Sequence, residues 1–286
     1  GDKKPYYVVV SHLEPDHAGN LKTLLDLYPD IKVIGNPKTF TMIAQFFDVD
    51  LSDDRKVVVG EGDTVNLGTH TLQFFMAPLV HWPEVMVAYE QSEKILFSAD
   101  GFGKFGALDA YEPWEDEARR YFINIVGKYG SPVQKALQKL GGLPITTICS
   151  THGPVWTENI SRVIGIYDRL SRYDADEGVV IVYGSMYGNT EQMAEAIAAE
   201  LSAQGIRNIV MHNVTKSHPS YILADIFRYK GLIVGSPTYS NQIFPEVESL
   251  LSKILVRELK GRYLGYFGSF TWAGAAVKRM AEFAEK

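Results

Sequence analysis

Residues 11–17 read SHLEPDH, and the reading of this stretch decides the first half of the fold. Four potential metal ligands, His12, Glu14, Asp16 and His17, stand within six positions, directly after the apolar, strand-like run 6–10. A metal site needs several donors converging on one point. A strand that opens into a loop delivers alternate side chains to one side at little entropic cost. A polar loop that happens to hold two histidines is the ordinary alternative, but HxE is common and HxExDH is not. Three further donors repeat the placement: His81 (in APLVHWPE) after the apolar segment 71–79, Asp100 (in KILFSADGFG) after 94–98, and His152 (in ITTICSTHGP) after 145–149. Each is the first strong donor after an apolar run and stands close to Gly or Pro, where loops close off buried strands. Singly, a histidine after a strand is a packing or surface residue and an Asp before Gly is a turn residue. Three strand ends that each add a donor to a four-donor loop read as one site.

The donor chemistry narrows the metal. The set holds four histidines and three carboxylates, enough for two metal ions with a carboxylate between them, and Cys149 is the only cysteine, so no thiolate cluster exists. Imidazole with carboxylate suits iron, manganese or zinc, and open positions of the two-His-one-carboxylate kind favour non-haem iron. Hydrolytic zinc enzymes of the metallo-β-lactamase fold carry HxHxDH, with His where this chain has Glu14. Glu14, Asp16 and Asp100 bring three negative charges to the pair. That charge helps cations pass from the divalent to the trivalent state, which zinc cannot do. The site reads as redox rather than hydrolytic.

The pattern HxExDH, then His, then Asp, then His resembles the flavodiiron protein family (A-type flavoproteins), in which a flavodoxin-like domain follows the di-iron domain. The second half of the chain carries that sequel. Residues 178–184, GVVIVYG, are a short run rich in Val, followed by Ser185, Met186, Tyr187, Gly188, Asn189 and Thr190, then by helical periodicity over 191–201. A loop of hydroxyl, Gly and Asn donors between strand and helix can hold a phosphate with backbone N–H groups, hydroxyls and the helix N-terminus. It is neither GxGxxG nor GxxxxGK[ST], which disfavours dinucleotide binding and ATP hydrolysis. Two later strand-like runs open into similar loops. Residues 231–235 lead to Ser236, Pro237, Thr238, Tyr239, Ser240 and Asn241; residues 262–267 lead to Gly268, Ser269, Phe270, Thr271, Trp272, Ala273 and Gly274. A flat isoalloxazine ring needs stacking surfaces and backbone donors, and flavodoxin-like sheets hold FMN at the carboxyl ends of their strands. The three loops resemble the phosphate loop and the two isoalloxazine loops of flavodoxins. Taken alone, Tyr239 or Trp272 reads equally well as a core aromatic.

Length and composition agree. A chain of 286 residues, 46% hydrophobic, builds two domains of ordinary size. Net charge is −6 with no dense Lys/Arg tract, so nucleic acid is not an expected partner. A single cysteine excludes an internal disulfide and fits a reducing, cytoplasmic location. No stretch is long and apolar enough to span a membrane, so no membrane partner is expected. Helical periodicity over 159–170 gives way to the polar, acidic linker 171–177. The expected domains are therefore 1–173, metallo-β-lactamase-like and di-iron-binding, and 178–286, flavodoxin-like and FMN-binding. The acidic run 109–117 reads as a solvated loop opening a helix over 117–129. His70, His212 and His218 have no ligand company in sequence and read as structural or surface residues.

The resemblance implies an α/β protein: an αββα sandwich followed by a doubly wound parallel sheet. Compared with the family, the chain meets its ligand motif within a dozen residues and shows four of the five flavodoxin strands, near Val179, Asn208, Leu232 and Tyr263. Truncation at both ends is the expectation, with exposed sheet edges as its consequence. Two iron ions and FMN are the implied cofactors. His12, Glu14 and His81 would hold one iron, Asp16, His17 and His152 the other, and Asp100 would bridge; His17 is the ligand that varies within the family. FMN would pass electrons to the iron pair, which would reduce dioxygen to water or nitric oxide to nitrous oxide. A rubredoxin-like or other protein would donate the electrons, and subunits would pair head to tail, as a homodimer or a dimer of dimers. Two other functions remain open to the residues: a zinc hydrolase fused to a flavodoxin, and an FMN electron carrier with a vestigial metal domain.

Overall fold

Strand β1 (Tyr7–Val9) pairs in parallel with β2 (Lys32–Gly35), and β2 with β3 (Lys56–Val58), in the computed structural model, which describes residues 4–285. Between β1 and β2 lie two short helices, α1 (Pro15–Ala18) and α2 (Leu21–Leu27); α3 (Pro37–Phe47) follows β2. Asn36 starts α3, its side-chain oxygen accepting the backbone N–H groups of Lys38 and Thr39, with Pro37 in the first turn. Leu13, Leu21, Leu25 and Ile43 from these helices and their loops bury against Val10, Ile31 and Val33 as one core layer.

A second sheet follows: β4 (Thr64–Asn66), β5 (Thr71–Met76), β6 (Met86–Glu90) and β7 (Ile95–Phe97). These four are antiparallel neighbours in sequence order. Pro78, which has no N–H to give a ladder, lies just past β5 and explains why the strand is shorter than its apolar run. Ile34 and Val59 of the first sheet's side pack on Leu72, Phe74, Met86 and Ala88 of the second, making the layer between the sheets.

Helix α4 (Trp114–Ile125) comes next in the chain. It starts three residues before the sequence reading placed it, with Glu115, Asp116 and Glu117 all in its first turn, at the positive end of the helix. It stops before Gly127, at φ +56°. The acidic run is also not wholly solvated: Glu117 is buried and accepts from Arg120 Nε at 2.9 Å. Helix α5 (Gly130–Leu140), strands β8 (Thr147–Cys149) and β9 (Val155–Trp156) and helix α6 (Ile160–Ser171) follow. Strand β8 joins β7 in parallel and β9 closes the six-stranded sheet. This is the expected αββα sandwich.

The remaining elements are β10 (Asp176–Tyr183), α7 (Asn189–Ala203), β11 (Ile209–Asn213), α8 (Pro219–Arg228), β12 (Tyr229–Tyr239), β13 (Gln242–Ile243), α9 (Pro245–Leu255), β14 (Tyr263–Ser269) and α10 (Ala275–Ala284). Strands β11, β10, β12 and β14 lie side by side in that order, all parallel, and β13 folds back antiparallel on the end of β12. This is the doubly wound sheet with its switch point between β10 and β12. Because β12 is central, paired on both sides, it runs well beyond the short apolar stretch legible in sequence. The linker is shorter than expected, because β10 begins at Asp176.

The chain divides into two compact units: one runs to Trp114 and resumes over Tyr129–Arg172, the other takes Glu115–Lys128 and the chain from Tyr173 on. Within the second unit, Phe122 of α4 stacks on Phe227 of α8 with ring centroids 5.9 Å apart. Arg120 donates to Ser220 Oγ at 3.2 Å, and Arg257 donates to the Ile123 carbonyl at 2.9 Å.

Candidate metal centre and flavin cavity

The ligand loop owes its shape to one apolar side chain. Leu13 is fully buried in the helix-side core, so its neighbours His12 and Glu14 are turned the other way. Glu14 is the N-cap of α1 with Pro15 behind it, and the single turn of α1 carries Asp16 and His17. His81 lies in the β5–β6 loop, Asp100 just after β7, and His152 in the β8–β9 turn. The Thr151 N–H to Ala99 carbonyl bond of 3.0 Å and the Lys104 N–H to His152 carbonyl bond of 2.6 Å tie these last two loops together.

The structure brings all seven sequence-selected residues to one place, in two groups: His12, Glu14, His81 and Asp100, and Asp16, His17 and His152. His81 Nε2 stands 3.1 Å from Glu14 Oε2 and 3.1 Å from Asp100 Oδ2; His12 Nε2 stands 3.3 Å from Glu14 Oε2 and 3.7 Å from Asp100 Oδ2. In the other group, His152 Nε2 is 3.0 Å and His17 Nε2 3.5 Å from Asp16 Oδ2. Asp100 Oδ1 lies 2.9 Å from His17 Nε2 and 3.9 Å from His152 Nε2. The two oxygens of Asp100 therefore face different ligand groups.

These spacings suit metal ions. Donors each about 2.1 Å from one cation stand roughly 3.0–3.5 Å apart at tetrahedral or octahedral angles. His17 Nε2 is buried and makes no hydrogen bond of acceptable geometry, despite its closeness to Asp100. A nitrogen aimed into a polar pocket without a hydrogen bond is what a metal ligand looks like. The donor set, imidazole and carboxylate with no thiolate, fits a pair of iron ions.

Electrostatics follow from burial and partners. Burial alone would raise the carboxyl of Asp100, yet hydrogen bonds from His81 and Thr151 and the nearby His12 and His17 hold it well below the carboxylate range. The Thr151 hydroxyl donates to Asp100 Oδ1 at 2.7 Å. Burial would likewise lower His12, but its bond to Glu84 and the charges of Asp100 and Glu84 push it up. Thr151 and Glu84 escaped the sequence reading. Their signal was adjacency: Thr151 precedes a ligand histidine and Glu84 follows one by three residues.

The histidines set aside lie beside groups outside the cluster. His70 Nδ1 sits 3.3 Å from Glu90, His212 Nε2 lies 2.8 Å from Asp225, and His218 accepts the Ser220 N–H at the start of α8.

The three loops of the second unit surround a cavity of about 610 Å³. Its lining includes Met186, Tyr187, Asn189 and Thr190 from the first loop, 237–241 from the second and 269–273 from the third. Ser185, Gly188 and Gly274, also selected from the sequence, are not among its lining residues. Ser185 Oγ accepts the N–H groups of Gly188 (3.2 Å) and Glu191 (3.4 Å), which curls the loop into the N-terminus of α7. Gly188 turns it at φ +87°, where a side chain would be strained. Thr190 Oγ1 meets Ser269 Oγ at 2.8 Å and so joins the first loop to the third. Burial, reinforced by the hydrogen bond to Glu191, pushes the Tyr183 hydroxyl beneath this helix end up to about 12. Neither Tyr239 nor Trp272 is a core aromatic: they are 46% and 89% exposed. Size, hydroxyl donors, a helix N-terminus and flat side chains together fit FMN.

Comparison with known proteins places both halves. Residues 3–153 match the family model described as ODP family beta lactamase, and residues 181–286 match that of flavodoxin. A nitric oxide reductase of Moorella thermoacetica is 31% identical over an alignment 286 positions long that covers 96% of this chain and 71% of the relative. The rubredoxin oxygen:oxidoreductase of Desulfovibrio gigas superposes with a TM-score of 0.92 at 31% identity, covering 98% of this chain and 72% of that one. The flavodiiron protein of Giardia intestinalis does so with a TM-score of 0.92 at 28% identity, covering 98% and 70%.

Proposed function

Because the chain belongs to the flavodiiron protein family, we propose that it is an oxidoreductase that reduces dioxygen to water, nitric oxide to nitrous oxide, or both, with FMN and two iron ions as cofactors. The observation that carries this reading is Asp100, one oxygen toward each ligand group, together with Glu14 in a position where hydrolytic relatives of the fold carry His. In this reading His12, Glu14 and His81 hold one iron, Asp16, His17 and His152 hold the other, and Asp100 spans the two. Residues 1–173 then serve the metals and 178–286 the flavin.

When bound, FMN delivers electrons one at a time and the iron pair supplies the site at which the gas is reduced. The chain's own residues do the rest. Glu14, Asp16 and Asp100 contribute three negative charges, which favour the oxidised pair. Thr151 orients Asp100. Backbone N–H groups at the start of α7, with Thr190 and Ser269, take the flavin phosphate, and the second and third loops flank the ring.

The test is anaerobic assay with each gas, alongside iron, zinc and flavin quantitation. Consumption of either gas by a chain holding about two irons and one FMN supports the proposal. Stoichiometric zinc, with no activity restored by iron, overturns it.

Two partners extend the reading. The name of the Desulfovibrio relative supports a rubredoxin-type electron donor. A two-fold, head-to-tail pair would bring each flavin to the partner's irons. Mixing a metal-dead chain (Asp100→Asn) with a flavin-dead chain under subunit exchange tests this. Restored gas reduction supports the pair, and inactivity despite demonstrated mixed dimers removes it. No helix among the described residues is long and apolar enough to cross a membrane.

A further inference from the structure

A fully buried carboxylate lies outside the seven ligands and touches one of them. Glu84 Oε1 is 2.8 Å from His12 Nδ1 and also accepts the Leu13 N–H at 2.9 Å. It sits in the β5–β6 loop, three residues after His81, so one loop supplies a ligand of its own and a clamp on the ligand of another loop. The clamp is itself anchored. Asn36, which caps α3 with its side-chain oxygen, uses its amide nitrogen to donate to the Glu84 carbonyl at 2.6 Å. The Met86 N–H to Ser11 carbonyl bond of 3.1 Å holds the two loops together at the backbone. A buried carboxylate is costly unless it is bonded; Oε2 has no hydrogen-bond partner, and both groups that bond to Oε1 belong to the start of the ligand motif.

We infer that Glu84 is a positioning residue for His12: by accepting Nδ1–H it fixes the imidazole with Nε2 toward the metal and makes that nitrogen a stronger donor. The inference rests on the di-iron reading above. It adds an asymmetry. Glu84 reaches His12 and not the group formed by Asp16, His17 and His152, so its loss falls on one metal position.

The experiment titrates the metal-free full-length chain with cobalt(II), comparing wild type, Glu84→Gln and Glu84→Ala. The glutamine keeps the shape and one acceptor oxygen but no charge; the alanine leaves two N–H groups without an acceptor. Affinity at one cobalt position is expected to fall about tenfold in Glu84→Gln and toward about 100-fold in Glu84→Ala. The other position stays within about threefold, a far smaller effect than that of a lost outer-shell partner. The weakened position is the one lost in a His81→Ala chain and spared in a His152→Ala chain. Flavin content stays unchanged throughout. Should Glu84→Ala fail to fold, Glu84→Gln decides alone. Wild-type affinity at both positions overturns the inference, as does equal weakening of both. A wild-type chain that takes up no cobalt pair would instead overturn the metal reading itself, which keeps the two failures apart.

Discussion

The metal cluster and the flavin cavity are built by opposite means. His12 and Asp100 are 4% and 3% exposed, and the structure gives each a hydrogen-bonding partner outside the ligand set, Glu84 for one and Thr151 for the other. The flavin loops leave Tyr187 and Trp272 86% and 89% exposed. The difference follows from what each ligand asks of the chain. Bringing three carboxylates together costs repulsion and desolvation, and only interleaved imidazoles and fixed donors make that tolerable before a cation arrives. A planar ring asks for surface and a phosphate asks for N–H groups, and loops at strand ends offer both without buried charge. Loss of a residue that both ligand groups share should therefore empty the whole cluster, and damage to the second site should stay local.

The largest expected effect tests that claim directly. Asp100→Asn removes the charge that both ligand groups share and disturbs the bond from Thr151. We expect the loss of both metals and a fall in gas reduction of at least about 100-fold, the upper end for loss of an outer-shell partner. Flavin content, read from absorbance, should not change. A parallel loss of FMN would break the comparison, because the two sites would then depend on each other for assembly.

Glu14→His should come next. It keeps the cluster and trades a carboxylate for an imidazole at the position that separates this chain from zinc hydrolases. Metal analysis should show zinc displacing iron, with loss of gas reduction and little loss of total metal. A variant that still purifies with two irons and full activity would show that the charge of Glu14 is not what selects iron.

The same contrast explains what could be read before any coordinates. The seven ligands were legible because each follows an apolar run in a loop that Gly or Pro closes, and donor type is written in the residue itself. The parallel sheet was legible for the same reason, from apolar runs 178–184, 231–235 and 262–267. What stayed hidden depends on distances that sequence spacing does not encode. Glu84 meets His12 across 72 positions and Thr151 meets Asp100 across 51. The acidic run at the start of α4 read as a solvated loop opening a helix, yet Glu117 is buried, and Phe122 packs on Phe227 more than a hundred residues later. The aromatic loop residues could not be told from core, because exposure is a tertiary property.

Within the flavin cavity the effects should be smaller and graded. Thr190 is buried at the start of α7, and its hydroxyl joins Ser269 at 2.8 Å. Thr190→Val keeps the shape and removes the hydroxyl from the helix end proposed to take the charged flavin phosphate. A hydrogen bond to a charged group is worth roughly 1.5–3 kcal/mol, so FMN affinity should fall by about one to two decades. Flavin titration checks this, with iron content as the control. Unchanged affinity would mean that the phosphate lies elsewhere.

The smallest effect sharpens the comparison most. Trp272 lies at the rim of the cavity and is 89% exposed, so it contributes almost no buried area to the fold. Surface substitutions of that kind change stability by about 0.5 kcal/mol or less, so Trp272→Ala should leave the thermal midpoint nearly unmoved. If the indole is held ready to cover the flavin, its removal should cost a stacking interaction, about 0.5–1.5 kcal/mol. That corresponds to roughly a two- to tenfold weaker FMN affinity. Trp272→Phe, which keeps a flat face, should recover most of the difference. The ordering is the test: a variant neutral for stability, measurably weaker for flavin and rescued by another aromatic marks a residue that serves the ligand and not the fold. The metal ligands cannot give that pattern, because each stands within ion-pair distance of others in the cluster and none is replaced by a flat apolar ring. If Trp272→Ala instead lowered the thermal midpoint of the flavin-free chain while leaving flavin affinity alone, the open rim would be part of the fold, and the contrast between a pre-built metal cluster and a ligand-ready surface would fail.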